Sequence, residues 1–118
     1  MGAAYLLPRV IGLGRATEAL MLGERIDAGR ALEIGLANRV VDDGALLEEA
    51  SNLGRRLAGG PALAYASTKM LLGRELDMSL EASLELDSFT QALLMKSADH
   101  GEAYAAIKAK RTPGWQGR

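Results

Sequence analysis

The side chains that could do chemistry are few. In "VIGLGRAT", Val10 to Thr17, an apolar pair followed by Gly12-Leu13-Gly14 and a helical stretch has the outline of a dinucleotide-binding turn. Asp42, after Val40 and Val41, could imitate the acid that holds a ribose. Thr17 stands where the third glycine belongs, Pro8 shortens the strand-like Val10-Ile11, and Gly23 cuts the helix short of a normal crossover. A plain helix N-terminus is the favoured reading. The acidic pairs Glu48-Glu49 and Glu81 with Glu85 would do acid-base work only if one member were desolvated. They lie on polar helix faces or in first turns, so they are read as solvated. His100, the sole imidazole, sits in the first turn of a helix with no triad spacing around it.

Lys108, Lys110 and Arg111 form a basic cluster at a helix C-terminus. Complementing the helix dipole is the favoured role. A phosphate clamp is the alternative, with lysine as a point charge and arginine as a bidentate fork. Trp115 and Phe89 read as core or interface anchors rather than ligand stackers. With no cysteine and a single histidine, thiol nucleophiles, disulfides and thiolate metal sites are out and a zinc site lacks ligands; no metal site is assigned.

The frame that must position these groups is one unit of 118 residues, 48% apolar, with a net charge of -1. Fourteen basic side chains against 15 acidic ones create no global positive field, and nucleic acid is not an expected partner. "GAAYLLPRVIGLG" is too short to span a bilayer and lacks a basic region ahead of it, so neither a membrane partner nor a signal peptide is read. Leu6 breaks the myristoylation pattern. The default compartment is the cytoplasm.

Along the chain, Gly14 to Leu22 reads as a short helix that Gly23 stops, and Asp27 caps a second that runs through Ile34 to Gly35. Asp43 is the expected N-cap of an amphipathic helix with Leu46, Ala50, Leu53 and Leu57 on one stripe. Gly59-Gly60-Pro61 closes it, Gly59 and Gly60 offering a left-handed C-cap and Pro61 opening the next helix, which Gly73 is expected to stop. From about Ser79 a longer helix shows two apolar stripes, Ala82, Leu86, Phe89 and Leu93 on one and Leu80, Leu84 and Met95 on the other. Two stripes imply two surfaces to cover. Asp99-His100-Gly101-Glu102 predicts a capping box that opens the last helix, which runs to about Lys110 and is ended by Thr112-Pro113-Gly114.

One segment stands apart. Leu36 to Val41 reads as a short β-strand, so the fold class is mainly α with one strand. No comparable strand exists in the chain to satisfy its backbone groups. It is therefore expected to pair with residues outside the chain or to be exposed.

Three blocks in order, "GAAYLLPRVIGLGRATEALMLGERIDAGRALEIGLANRVV", "EEASNLGRRLAGGPALAYASTK" and "ADHGEAYAAIKAKRTPGWQGR", resemble the C-terminal portion of the enoyl-CoA hydratase/isomerase family, the crotonases. The resemblance implies a spiral of ββα units followed by a helical region that builds trimers, often paired into hexamers. Residues 1–43 would be the end of the spiral core and 44–118 the helical oligomerisation region. It implies acyl-CoA as substrate, with coenzyme A entering as part of the substrate and no separate cofactor. Two backbone amides would stabilise a thioester enolate in an oxyanion hole.

Those amides and the family's usual catalytic carboxylates belong to segments ahead of Gly2, so no catalytic residue is carried over. Gly2, Ala3 and Ala4 match a glycine-rich turn beside the active site and would line the acyl pocket. Lys110 matches the lysine of the family's closing basic motif, which in some members reaches the CoA phosphates of a neighbouring subunit, with Arg111 beside it. Ile107 replaces a frequent aromatic, and Trp115 stands where phenylalanine is common. The resulting expectation is the C-terminal part of a crotonase-type enzyme, a proteolytic remnant or truncated reading frame, inactive alone. A non-catalytic oligomerisation module and a separate N-terminal core chain that completes the enzyme are the alternatives.

Overall fold

The computed structural model describes residues 1–118 and holds seven α-helices and no β-strand. These are α1 (Ala3–Ile11), α2 (Leu13–Leu22), α3 (Ala28–Glu33), α4 (Leu46–Ala58), α5 (Ala62–Arg74), α6 (Leu80–Leu94) and α7 (Ala98–Ala109). Two compact units divide within α4, Met1–Glu49 and Ala50–Arg118.

In the first unit α1 packs on α2, and Ile34 closes over their junction. Ile11, Ala16 and Ile34 form the buried cluster, with Leu7 and Ile26 against it. The small side chain of Ala16 lets the helices approach at Gly12, where the chain turns. Val10 and Ile11 close α1 as helix, so the Gly12-Leu13-Gly14 turn joins two helices. The strand that a dinucleotide-binding turn requires is absent, and that alternative is withdrawn.

Asp27 caps α3 as its position predicts, accepting the Arg30 amide at 2.7 Å. The end of α3 is a Schellman motif: the Leu36 amide donates to the Ala31 carbonyl at 2.8 Å and the Gly35 amide to Leu32 at 3.1 Å. Gly35 takes the left-handed conformation, φ 77°, that this closure needs.

The expected strand does not form: residues 36–41 enter no β-ladder. The amides of Leu36 and Ala37 are already spent on Ala31, and no second strand exists to supply a ladder. Leu36 and Val40 are exposed, while Arg39 pairs with Glu49. The fold class is thus all α, and a short strand-like segment without a partner strand did not suffice.

Asp43 does not cap α4 either. It opens a 3-10 turn, Asp43–Ala45, in which the Ala45 amide reaches the Asp42 carbonyl at 2.8 Å before α4 begins. The stripe of α4 is real but uncovered, since Leu46, Leu53 and Leu57 are all exposed.

In the second unit α5 packs against α6 and against the 3-10 turn Glu75–Asp77 that links them. Pro61 occupies the N-cap of α5, and the helix runs through Gly73 to Arg74. Neither Gly59 nor Gly60 is left-handed. Gly60 serves close approach instead: a Cβ there would stand 2.3 Å from the Tyr65 ring. Ser79 caps α6, accepting the Ala82 amide at 3.3 Å. Both stripes of α6 stay largely open, with Phe89 72% and Leu93 73% exposed.

Candidate functional site

The basic cluster sits where α7 ends. That end is a second Schellman motif, with the Arg111 amide donating to the Ala106 carbonyl at 3.0 Å and the Lys110 amide to Ile107 at 3.1 Å. The position that Gly35 fills in α3 is filled here by Lys110, at φ 53° and ψ 40°. It is the only non-glycine residue of positive φ in the chain. A side chain in that conformation costs about 1 kcal/mol, and a lysine offers no local hydrogen bond to offset it as asparagine would. Such outliers cluster where the side chain serves a site. The Lys110 ammonium is exposed and has no carboxylate partner in the chain.

Arg111 behaves differently. Its Nη2 donates to Glu102 Oε2 at 2.9 Å, its Nη1 to Glu102 Oε1, and Nη1 also to the Thr112 carbonyl at 3.2 Å. Glu102 Oε1 further accepts the Gly114 amide at 2.7 Å. The guanidinium and then the Gly114 amide hold the Glu102 carboxyl at about 2, well below the ordinary carboxylate value, and the same pairing raises Arg111. The fork is thus engaged within the chain, and among the two residues Lys110 alone presents an uncommitted cation.

The capping box expected at the head of α7 is replaced by a different arrangement. Ser97 is the N-cap, accepting the His100 amide at 3.1 Å. Asp99, only 5% exposed, lies one residue inside the helix. Its carboxylate accepts the amides of Gln116 at 2.6 Å and Gly117 at 2.9 Å. Asp99 and Glu102 thus serve the C-terminal segment, not the head of their own helix. Sequence reading missed this because capping looks only three residues ahead, although a Pro-Gly tail after a helix leaves amides that need acceptors somewhere.

His100 lies beside an apolar cavity of about 220 Å³, with Leu63, Leu94, Ala103 and Trp115 among its walls. It does not pair with a carboxylate to form a catalytic dyad. In the first unit, Gly2 is the left-handed N-cap of α1, φ 90°, and Ala3 and Ala4 are exposed in the first turn. The Gly2 carbonyl accepts the Leu6 amide at 2.9 Å, which sets the start of that helix. No helix of the chain is long and apolar enough to cross a membrane.

Comparison with known proteins gives this arrangement a context. All of residues 1–118 match the family described as enoyl-CoA hydratase/isomerase. The 1,2-epoxyphenylacetyl-CoA isomerase of Escherichia coli (strain K12) is 36% identical over 117 residues, covering 99% of this chain and 45% of its own length. A solved chain from Streptomyces coelicolor A3(2) is 57% identical with a TM-score of 0.96, over 99% of this chain and 42% of that one. The enoyl-CoA hydratase of Bacillus anthracis superposes with a TM-score of 0.94 at 32% identity, over 99% and 45% of the two chains. The chain therefore spans less than half the length of these relatives. A match along the whole sequence, together with a superposition that reproduces its helices on solved hydratases, leads to one conclusion: this chain belongs to the enoyl-CoA hydratase/isomerase family.

Proposed function

We propose that this chain supplies the C-terminal helical part of an enoyl-CoA hydratase or isomerase that acts on acyl-CoA thioesters by enolate stabilisation in an oxyanion hole. The observation that carries this reading is the family match across residues 1–118 by a chain under half the length of its relatives. In this reading the oxyanion-hole amides and the proton-transferring carboxylates belong to the part of the enzyme that the match does not include, and the chain alone is inactive.

Lys110 is assigned the contact with the CoA phosphates. Its unpaired ammonium and its left-handed backbone, tolerated where glycine fits better, support the role. Arg111 is given the supporting part, because both ends of its fork are held by Glu102. Gly2, Ala3 and Ala4, small and exposed at the head of α1, are assigned to the acyl pocket of the assembled enzyme.

The test is an ultraviolet assay of crotonyl-CoA hydration with the purified chain, alone and mixed with a core segment from a relative. No turnover is expected alone; turnover above a protein-free blank would sink the claim of inactivity.

A second reading, a non-catalytic helical oligomerisation module, is favoured by the open face of α6, where Leu80, Phe89 and Leu93 stand exposed. Trimers or hexamers of this chain are the expected assemblies. Sedimentation equilibrium decides: a folded monomer at all concentrations would exclude the module.

A further inference from the structure

Residues 112–118 follow α7 without regular secondary structure, yet the backbone is fastened at both ends. Near its start the Gly114 amide donates to Glu102, whose carboxylate also receives the Arg111 fork. At its end the amides of Gln116 and Gly117 donate to the buried carboxylate of Asp99, and the Asp99 amide returns a bond to the Arg118 carbonyl at 3.2 Å. Asp99 and Glu102 are three residues apart, neighbours on one face of α7. Trp115, the only tryptophan, lies between the two fastenings, half-buried as a wall of the 220 Å³ cavity.

Two features separate the strap from the helix under it. The head of α7 is capped by Ser97, so the helix does not need Asp99 or Glu102 for its own termination. The segment itself buries little, only Pro113 and Trp115 being even partly covered, which is the character of segments that open at low free energy. Releasing Asp99's donors while the segment still covers it would leave a desolvated carboxylate unpaired, so that end lets go only as the segment lifts and water enters. The fastenings are therefore coupled: an end that lets go shifts the load of holding Trp115 to the other.

We propose that residues 112–118 form a strap that closes and opens as one unit on the carboxylates of Asp99 and Glu102, carrying Trp115 over the apolar cavity when closed and leaving α7 folded when open. The strap explains an otherwise puzzling choice, a buried aspartate in the first turn of a helix that already has a cap.

The test uses the full chain, with amide hydrogen exchange read at Gly114, Gln116 and Gly117 and acrylamide quenching read at Trp115. In the wild type the three amides are expected to share one opening equilibrium, slower to exchange than unprotected amides, with Trp115 partly shielded. Asp99→Asn replaces one acceptor with a donor that faces an N–H. It is expected to speed exchange at all three amides by about tenfold or more, the loss of a hydrogen bond to a charged group, and to increase quenching, while the amides in the body of α7 keep their wild-type protection. Wild-type exchange at Gly114 in Asp99→Asn would show two separate fastenings and overturn the proposal. Joint loss of protection in α7 would overturn it too, as would a wild-type Trp115 as quenchable as free tryptophan. If Asp99→Asn does not fold, Glu102→Gln carries the same reading, with Gln116 and Gly117 as the distant reporters.

Discussion

Arg111 lays its guanidinium on Glu102, nine residues earlier, with Nη2 to Oε2 at 2.9 Å and Nη1 on the second oxygen that also takes the Gly114 amide. The carboxylate is the hub through which the end of α7 and the start of the tail are tied together.

Because Glu102 titrates at about 2 in the folded chain against 4.5 for the free side chain, the folded state binds fewer protons between those values. Stability from this group is present above pH 4.5 and is lost as pH falls toward 2. Urea midpoints measured across that window are expected to fall in the wild type and to fall less steeply in Glu102→Gln. Equal slopes in the two proteins would mean that the pairing is not maintained in solution.

Glu75 is expected to behave in the opposite sense. One of its carboxyl oxygens is buried without a hydrogen-bond partner, and burial, with Asp87 adding to it, raises its pKa above 4.5. The folded state then holds the proton to higher pH than the unfolded chain, so stability declines as pH rises through the window above 4.5. Glu75→Gln should be more stable than the wild type at pH 7, with the advantage gone at pH 4. A lower urea midpoint for Glu75→Gln at pH 7 would refute the assignment.

The two Schellman closures invite a paired substitution. Gly35→Ala places a side chain at φ 77° and is expected to cost about 1 kcal/mol. Lys110→Gly removes a side chain from φ 53° and is expected to stabilise by up to about 1 kcal/mol. Chemical denaturation of the two variants checks both signs. If Lys110 holds the CoA phosphates as proposed, Lys110→Gly in a reconstituted enzyme should nevertheless raise the KM for acyl-CoA with kcat little changed, because the anchor lies far from the reacting carbon. Unchanged KM would remove Lys110 from the CoA contact while leaving the stability result intact.

Ile11→Ala empties the centre of the first unit, where Ile11 meets Ala16 and Ile34. Truncating a buried isoleucine typically costs about 2–5 kcal/mol, and a cluster this small has few neighbours to fill the gap. Loss of amide protection in α1 and α2 is the expected outcome. Retained protection there would mean that contacts other than this cluster hold the helices together.

What could be read from the chain in advance followed the range of the forces involved. Asp27 before α3, Ser79 before α6 and Gly23 after α2 act within four residues, and all three work as their types suggest. The open stripes of α6 were likewise legible as surplus apolar surface. Lys110 and Arg111 could be picked out as a basic pair, but their types alone did not separate a free ammonium from a guanidinium already held by Glu102. The GLG turn misled for a related reason, since Val10 and Ile11 suit a strand or a helix; both close α1, where Ile11 packs with Ala16 and Ile34.

The sequence by itself determined the family and the helical segments from α2 to α7, with local stops such as Gly23 and Gly35, because periodicity and capping are properties of neighbouring residues; α1 does not read as a helix from sequence alone. Tertiary structure decided the rest. Residues 36–41 stayed unpaired because a strand exists only with a partner, and Asp99 and Glu102 turned from helix caps into anchors because amides 12 to 18 residues downstream came within hydrogen-bonding reach. No local pattern encodes those distances; they appear only once α7 is built and the tail folds back along it.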